Sequence, residues 1–300
     1  MGLQQRSDLP FWRSLLFVPV NVEKYWQKAP ASGADAIVLD LEDSVPLAEK
    51  AAARAAVPAA AGRCASAGAD ILVRVNRPLE LAVRDIEAVV APRIHALMLP
   101  KLESAGHVQL LAELVESVER RNGMQVGHTR FYAVVETVTA FARIFEIAAA
   151  HPRIVAFSCG TEDFTASCGA QPDPDVLLYP KQQGVLAARA AGVLPLGIFS
   201  SPANYRDLEG LRAAVAHARR FGVEGSSCIH PAQVPILNDG FSPGADEVAA
   251  AQRVVDTYGD ALASGRGSVG LDGRMLDVPV VERAARVLAI AGRLERRRSA

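Results

Sequence analysis

The chain has 300 residues, of which 50% are hydrophobic and 22% are charged, a composition that supports a sizeable core and excludes disordered and fibrous classes. Its formal net charge of -1 provides no overall field for nucleic acid or an anionic membrane, so neither is an expected partner. The four cysteines lack CxxC spacing, and no leader-like or membrane-spanning apolar run is present. These features predict a reduced, cytoplasmic, enzyme-sized protein.

Short apolar runs alternate with helix-like segments along most of the chain. The predicted strands are 14–18, 35–41, 71–75, 96–99, 131–135, 154–158, 196–199 and 225–229. The predicted helices are 22–31, 47–61, 80–90, 105–121, 140–150, 181–191 and 207–220. We expect Asn21 to cap the first helix and Pro58 to interrupt or kink the second.

Eight strand–helix units at a spacing of about 25 to 35 residues predict parallel strands joined by crossover helices, closed into a (β/α)8 TIM barrel. An open doubly wound sheet is the rival fold, but no GxGxxG follows the first strand. Residues 1–240 are the predicted catalytic barrel domain. Residues 241–300 form a predicted C-terminal helical arm or lid, with helices at 247–262 and 280–294 and a Gly-rich segment at 264–273.

Acidic residues follow three of the predicted strands. Asp40, Glu42 and Asp43 follow the second, Glu136 follows the fifth, and Asp163 follows the sixth. In a barrel these strand ends meet at one face, where active sites lie. Two or three carboxylates without thiolate or imidazole partners favour Mg²⁺ over Mn²⁺ or Ca²⁺, and they argue against zinc.

Each acid also has a purely structural interpretation. Glu136 and Asp163 are alternatively helix N-terminal acids, and the acids at 40–43 are alternatively caps for the helix at 47. The backbone N–H groups of Gly160, Thr161 and Glu162 are a candidate anion nest for a substrate carboxylate.

Three cationic or titratable residues also follow strands. Arg74 is either a structural ion pair or a bidentate anchor for a substrate acid group, and we favour the anchor. Lys101 is expected to extend to solvent, and His230 to be a supporting or core group rather than a base.

Eight motifs occur in order along nearly the whole chain: RSLLFVPVN (13–21), GADAIVLDLEDSV (33–45), ILVRVNRP (71–78), LMLPKLES (97–104), VVET (134–137), GTEDF (160–164), LLYPKQQGVLAARAAG (177–192) and IHPAQV (229–234). With these motifs the chain resembles the citrate lyase beta-subunit branch of the HpcH/HpaI aldolase superfamily. The resemblance implies a (β/α)8 barrel, Mg²⁺-dependent cleavage or formation of a C–C bond beside a carboxylate, and a homotrimer or homohexamer.

The resemblance also implies roles for individual residues. The family's metal ligands fall on Glu136 and Asp163, and its substrate-binding arginine falls on Arg74. Glu42 and Asp43 match an acidic segment that holds metal-bound water and orients the site. The segment GRMLDVP (273–279) is similar to one that reaches over a neighbouring subunit's site, which points to Asp277 as an acid acting on acyl-CoA.

Two positions depart from the family pattern. Val20 stands where many relatives have a glycine that allows close approach of a ligand to the backbone, so binding around the first strand is expected to differ. Ser167–Cys168 stands where relatives often have Asp–Leu, beyond the ligands, and no loss of metal is expected.

The resulting hypothesis is a lyase that cleaves or forms a malyl-, citramalyl- or citryl-type thioester, giving a 2-oxo acid and an acyl-CoA, with thioester hydrolysis as a further outcome. Two alternatives stay open. One is an aldolase acting on a free 2-oxo-4-hydroxy acid without CoA. The other is a citrate lyase beta chain acting on a citryl group held by a carrier protein.

Overall fold

The structure is a computed structural model that describes residue 6, residues 8–201 and residues 204–299. The chain divides into two compact units, one ending at Phe241 and the other beginning at Ser242. Within the described residues, no helix is both long and apolar enough to cross a membrane.

The first unit is a closed barrel of eight parallel strands. The strands are β1 (Ser14–Pro19), β2 (Ala36–Asp40), β3 (Asp70–Arg74), β4 (Ala96–Leu99), β5 (Arg130–Val135), β6 (Ile154–Cys159), β7 (Leu194–Pro195) and β8 (Ser226–Cys228). Their order is β7-β6-β5-β4-β3-β2-β1-β8, and a parallel bridge between Leu196 and Gly225 joins the two ends. The predicted (β/α)8 barrel is confirmed, and the open doubly wound sheet is excluded.

Helices follow each strand and cover the outside of the barrel. They are α1 (Glu23–Lys28), α2 (Lys50–Cys64), α3 (Leu79–Val89), α4 (Ala105–Arg121), α5 (Val138–Phe141), α6 (Ile144–Ala148), α7 (Glu162–Cys168), α8 (Pro174–Ala190), α9 (Leu208–Arg220) and α10 (Val234–Gly240).

Alternation along the strands divides the apolar residues between two cores. Leu15, Val38 and Leu72 pack inside the barrel, whereas their neighbours Leu16 and Ile37 pack outward beneath the helices. This alternation is the pattern required of strands buried on both faces of a closed sheet.

The pairing of the last strand with the first requires a glycine. Ser226 N–H donates to the carbonyl of Arg13 at 3.0 Å, which brings β8 against the segment before β1. A Cβ atom on Gly225 would overlap the carbonyl oxygen of Trp12. Any side chain at this position would therefore push the last strand away from the first.

The structure corrects two details of the first helices. Asn21 does not cap α1, which begins after Val22; its side-chain amide donates instead to Glu49 at 2.6 Å. Pro58 does not interrupt α2, which runs unbroken from Lys50 to Cys64.

The later elements also differ from their predicted bounds. Helix α8 begins at Pro174, where Asp173 caps it by accepting from Asp175 N–H at 2.8 Å, rather than at Lys181. The proline is tolerated because the first turn of a helix needs no donor at that position. Strand β7 is shorter and earlier than predicted, since Gly197 has a φ of +106° and ends the regular pairing.

The second unit contains two helices and a hairpin: α11 (Ala245–Ala263), β9 (Val269–Leu271), β10 (Arg274–Leu276) and α12 (Val278–Ser299). The hairpin replaces the predicted Gly-rich linker. Its two-residue turn, Asp272–Gly273, has positive φ at both positions, as a type I′ turn requires. Asp277 is exposed at the start of α12 and accepts a hydrogen bond from Val280 N–H at 3.3 Å.

A buried ion pair joins three segments at the amino-terminal end of the barrel strands. Arg153, just before β6, donates to both carboxylate oxygens of Glu119 on α4, at 2.9 and 2.6 Å. The N–H groups of Gly127 and Thr129 donate to the same carboxylate. Burial raises the pKa of Glu119, but these hydrogen bonds have a larger, opposite effect. The pKa of Glu119 therefore lies below the ordinary value of 4.5.

We expect Glu119→Gln to destabilise the protein by about 3 to 5 kcal/mol at neutral pH, because it leaves the Arg153 guanidinium buried without a counter-charge. The wild-type advantage should be full above pH 4.5 and disappear as the pH falls through the lowered pKa. Urea unfolding of both proteins between pH 3 and 8 measures this difference.

The matched control is Glu116→Gln, which removes an exposed pair with Arg120 on the same helix and should change stability little. Equal effects of the two substitutions would contradict the role given to the buried pair.

Candidate active site

The carboxyl ends of five neighbouring strands bring charged side chains to one face of the barrel. Glu42 and Asp43 follow β2, Arg74 ends β3, and Lys101 follows β4. The carboxylates that follow β5 and β6 belong to Glu136 and Asp163. A pocket of about 250 Å³ opens here, and its lining includes Phe17, Asp43, Arg74, Met98, Tyr132, Val134, Glu136, Ser158, Gly160, Thr161, Glu162, Asp163, Lys181, Gly197 and Ser227.

Three carboxylates surround the guanidinium of Arg74. Asp40 accepts from its Nε and Nη2, both at 2.7 Å, while Glu42 and Asp43 lie 2.9 and 3.5 Å from Nη1. The ring of Phe17 lies 4.8 Å from the guanidinium carbon. Burial raises the pKa of Asp40, but hydrogen bonds from Arg74 and Ser44 have a larger, opposite effect and lower it overall. Asp40 and Arg74 are therefore both charged at neutral pH. Arg74 is therefore both an internal counter-ion and part of the pocket wall.

The acids after β2 belong to the site and do not cap the following helix. The helical turn that starts at Leu47 has no side-chain cap, whereas Glu42 accepts from Lys101 Nζ at 2.8 Å. Asp40 lies deeper and holds the turn after β2 by accepting from Glu42 N–H at 2.9 Å. This arrangement corrects the capping alternative.

Lys101 extends into the site and not to solvent, contrary to the sequence interpretation. Its ammonium contacts Glu42, Asp43 at 3.2 Å and Asp163 at 3.7 Å. Its backbone has a φ of +49°, and its N–H donates to Glu136 Oε2 at 2.9 Å. This left-handed backbone is uncommon for a lysine, and here both the main chain and the side chain of the residue contact the acidic cluster.

Glu136 lies buried beside the loop that carries Asp163. Gly160 makes room for it, since a Cβ there would lie 2.5 Å from the Glu136 Cγ. Burial, together with the charges of Asp163 and Glu42, raises the pKa of Glu136 to about 7. Within the described residues, no group of three or more His, Cys, Asp or Glu side chains is arranged to hold a metal. This carboxylate pair would therefore supply at most two protein ligands.

The predicted anion nest is wrong at one of its three positions. Gly160 N–H donates to Val135 O at 2.7 Å, so barrel pairing already uses this donor. Thr161 is the N-cap of α7 and Glu162 is its first residue, and the first N–H groups of a helix have no acceptor within the helix itself. The side chain of Glu162 accepts from the hydroxyl of Ser201, beyond β7.

His230 is not among the residues that line the pocket. It is exposed, its Nδ1 accepts from Ala232 N–H at 3.1 Å, and its ring stacks on Tyr205 with centroids 5.0 Å apart. Sequence reasoning missed Tyr132, Ser158 and Lys181 in the pocket wall. The alternation of β5 and β6 could have revealed the first two, but Lys181 reaches the pocket from a helix.

A closed parallel barrel with paired carboxylates and internal cations at the carboxyl ends of its strands defines an α/β-barrel enzyme with an acidic active site. The chain belongs to the HpcH/HpaI aldolase/citrate lyase family, whose model matches residues 13–231. It is an enzyme of the lyase class, and the resemblance to the citrate lyase beta-subunit branch is confirmed.

Two curated relatives span nearly the whole chain. The citrate lyase subunit beta of Leuconostoc mesenteroides subsp. cremoris is 33% identical over 282 residues, 93% of each chain. A (3S)-malyl-CoA thioesterase of Cereibacter sphaeroides (strain ATCC 17029) is 33% identical over 286 residues, 94% of this chain and 95% of its own. The crystal structure of CitE from Mycobacterium tuberculosis with magnesium, acetoacetate and coenzyme A has a TM-score of 0.74 and 31% identity, covering 95% of this chain and 99% of that one.

The raised pKa of Glu136 has a measurable consequence for stability. Between pH 4.5 and about 7 the folded state holds a proton on this carboxyl that the unfolded chain has lost. Stability should therefore fall as the pH rises through this window, by about 3 kcal/mol in all. Glu136→Gln cannot ionise at this position. Its free energy of unfolding should equal that of wild type near pH 5 and exceed it at pH 8, measured by chemical unfolding in the presence of EDTA.

The control is Glu146→Gln, an exposed glutamate on α6. Its free energy of unfolding should match that of wild type at every pH. A constant difference between wild type and Glu136→Gln across the range would contradict the raised pKa.

Proposed function

We propose that the protein is a Mg²⁺-dependent carbon–carbon lyase that acts on a β-hydroxyacyl-thioester such as malyl-, citramalyl- or citryl-CoA. The products of cleavage are a 2-oxo acid and an acyl-CoA, and condensation is the reverse reaction. The observation that carries this proposal is the pair Glu136 and Asp163, which line one pocket together with Arg74, while the Lys101 ammonium lies 3.7 Å from Asp163. The magnesium, acetoacetate and coenzyme A in the CitE crystal structure support it.

The residues of the pocket fit a magnesium ion. Glu136 and Asp163 offer only carboxylate oxygens. Burial and then the charge of Asp163 raise the pKa of Glu136 to about 7, and a divalent cation would favour its ionised form. Mg²⁺ is commonly held by one or two carboxylates with water and substrate in the other positions. When bound, it supplies a Lewis acid that polarises substrate oxygens.

The chain's own residues orient the substrate and stabilise charge. Arg74, fixed by Asp40, places a permanent positive charge where negative charge develops as the C–C bond breaks. Lys101 holds Glu136 through its N–H group and Glu42 through its ammonium, so the acids are positioned before substrate arrives. Glu42 and Asp43 are proposed to order water at the site.

Asp277 is proposed to exchange the proton at the thioester α-carbon. Its carboxylate is exposed at the start of α12, so it is accessible to a ligand. In cleavage, the hydroxyl proton passes to water and the C–C bond breaks to give a carbonyl and a thioester enolate. Asp277, protonated from solvent, then delivers a proton to the α-carbon. A homotrimer or homohexamer and a cytoplasmic location stay predictions.

The metal assignment is tested by incubating wild type, Asp163→Ala and Glu136→Gln with Mg²⁺ and malyl-, citramalyl- or citryl-CoA. Both substitutions should reduce kcat at least about 100-fold, because they remove a principal electrostatic stabiliser. Following 2-oxo acid and free thiol separately distinguishes cleavage from thioester hydrolysis.

The control is Asp239→Asn, an exposed acid on α10, which should retain wild-type activity and EDTA sensitivity. Near-normal Mg²⁺-dependent turnover by Asp163→Ala would overturn the assignment.

The role of Asp277 is tested by exchange of the α-proton of acetyl- or propionyl-CoA with deuterated solvent, read by NMR. Asp277→Ala should abolish exchange while Mg²⁺ still binds. Normal turnover by this variant without CoA binding would favour the aldolase on a free 2-oxo-4-hydroxy acid. Turnover that requires a co-purifying acidic carrier protein would favour the citrate lyase beta-chain alternative.

A further inference from the structure

Lys181 reaches the pocket from outside the strand layer. It lies in α8, and its side chain is only 5% exposed. Its ammonium donates to Cys159 O at 2.6 Å and to Thr161 Oγ1 at 2.8 Å, at the end of β6. An ammonium has three donors, so one remains after these two hydrogen bonds.

No carboxylate of the described residues lies within 4 Å of the Lys181 ammonium, in contrast to Arg74 and Lys101. Burial lowers the pKa of Lys181, and the more distant charge of Glu136 does not restore it. Because a buried ammonium without a paired anion is costly, a neighbouring negative charge would stabilise its charged form.

The pocket wall beside Lys181 is polar. Gly197, just after β7, has no side chain to cover the ammonium; a Cβ there would lie 3.7 Å from Nζ and 3.8 Å from the Cβ of Ser158. The hydroxyls of Ser158 and Tyr132 lie 2.9 Å apart in the same pocket, which also includes Ser227. This wall, formed by Lys181, Ser158, Tyr132 and Ser227, is called the distal wall below.

Within the distal wall, Lys181 lies across the barrel from Arg74. Lys181 contacts the end of β6 and adjoins Gly197 after β7, whereas Arg74 ends β3. In the ring order, β3 and β7 are separated by three strands on either side, so they face each other. A ligand between the two carboxylates and this wall would meet a second, independent positive charge.

We propose that the distal wall binds a second carboxylate of the substrate, with the Lys181 ammonium as its counter-ion and the hydroxyls as additional donors. This inference rests on the proposed function and specifies its substrate class. The 2-oxo acid half is a dicarboxylic acid, so the enzyme distinguishes an oxo acid with a distal carboxylate from one that ends in a methyl group.

The test is calorimetric binding of oxaloacetate and pyruvate with Mg²⁺, which requires no turnover. Wild type should bind oxaloacetate about 10- to 100-fold more tightly than pyruvate, the scale of one charge-assisted hydrogen bond. Lys181→Met should lose most of this preference and keep its affinity for pyruvate. Lys181→Arg, which retains the charge, should keep the preference.

The outcomes separate this inference from the proposed function. Equal binding of both acids by wild type overturns the distal carboxylate site and leaves the lyase proposal intact, and this comparison needs no variant to fold. If Lys181→Met loses affinity for both acids equally and its thermal unfolding is unchanged, the lysine supports the loop after β6, and the inference is overturned. Failure of wild type to bind either acid overturns this inference alone, because a malyl-type thioester would release glyoxylate; the lyase proposal is then decided by the turnover assay described above.

Discussion

The acidic face of the barrel depends on cations that belong to the chain itself. Asp40, Glu42 and Asp43 occupy a small volume only because Arg74 and Lys101 lie among them at hydrogen-bonding distance. Burial and neighbouring acids nevertheless raise the pKa of both Glu136 and Glu42. The acids after β2 contact cationic side chains directly, whereas Glu136 accepts a hydrogen bond from Lys101 N–H and has no cationic side chain within 4 Å among the described residues.

This difference separates support from chemistry. The acids after β2 are fixed as counter-ions and hold Arg74 in one orientation. Glu136, a buried carboxylate next to a second acid, favours a bound cation, at the expense of stability when none is present. Gly160 belongs to the same arrangement, because the space that it leaves open is the space that Glu136 fills.

Much of this could be predicted from the sequence, since strand ends in a parallel barrel meet at one face whatever their separation along the chain. Glu136, Asp163 and Arg74 were identified in that way. Lys101 was misassigned because its left-handed backbone, which directs both its N–H group and its ammonium to the acids, leaves no signal in residue type. Lys181 was missed because a helix side chain that crosses between strands does not follow the strand-end rule.

The second unit shows a different limit. Asp277 was singled out by resemblance alone, since no periodicity marks an acid in a Gly-rich stretch. Asp272–Gly273, by contrast, is a strong local signal for a hairpin turn. The sequence prediction assigned only helices and a Gly-rich segment here and therefore missed the hairpin. Errors at helix starts, such as Asn21 and Pro174, arise because several residues near a helix terminus compete to satisfy the same few N–H groups.

The Glu119–Arg153 pair lies at the amino-terminal end of the strands, and the pocket lies at the other. The two share no side chain, so their mutational effects should be close to additive. Substitutions at the amino-terminal end can therefore raise the free energy of unfolding without altering the pocket. That added stability would let the protein tolerate destabilising substitutions that change ligand preference at the other end.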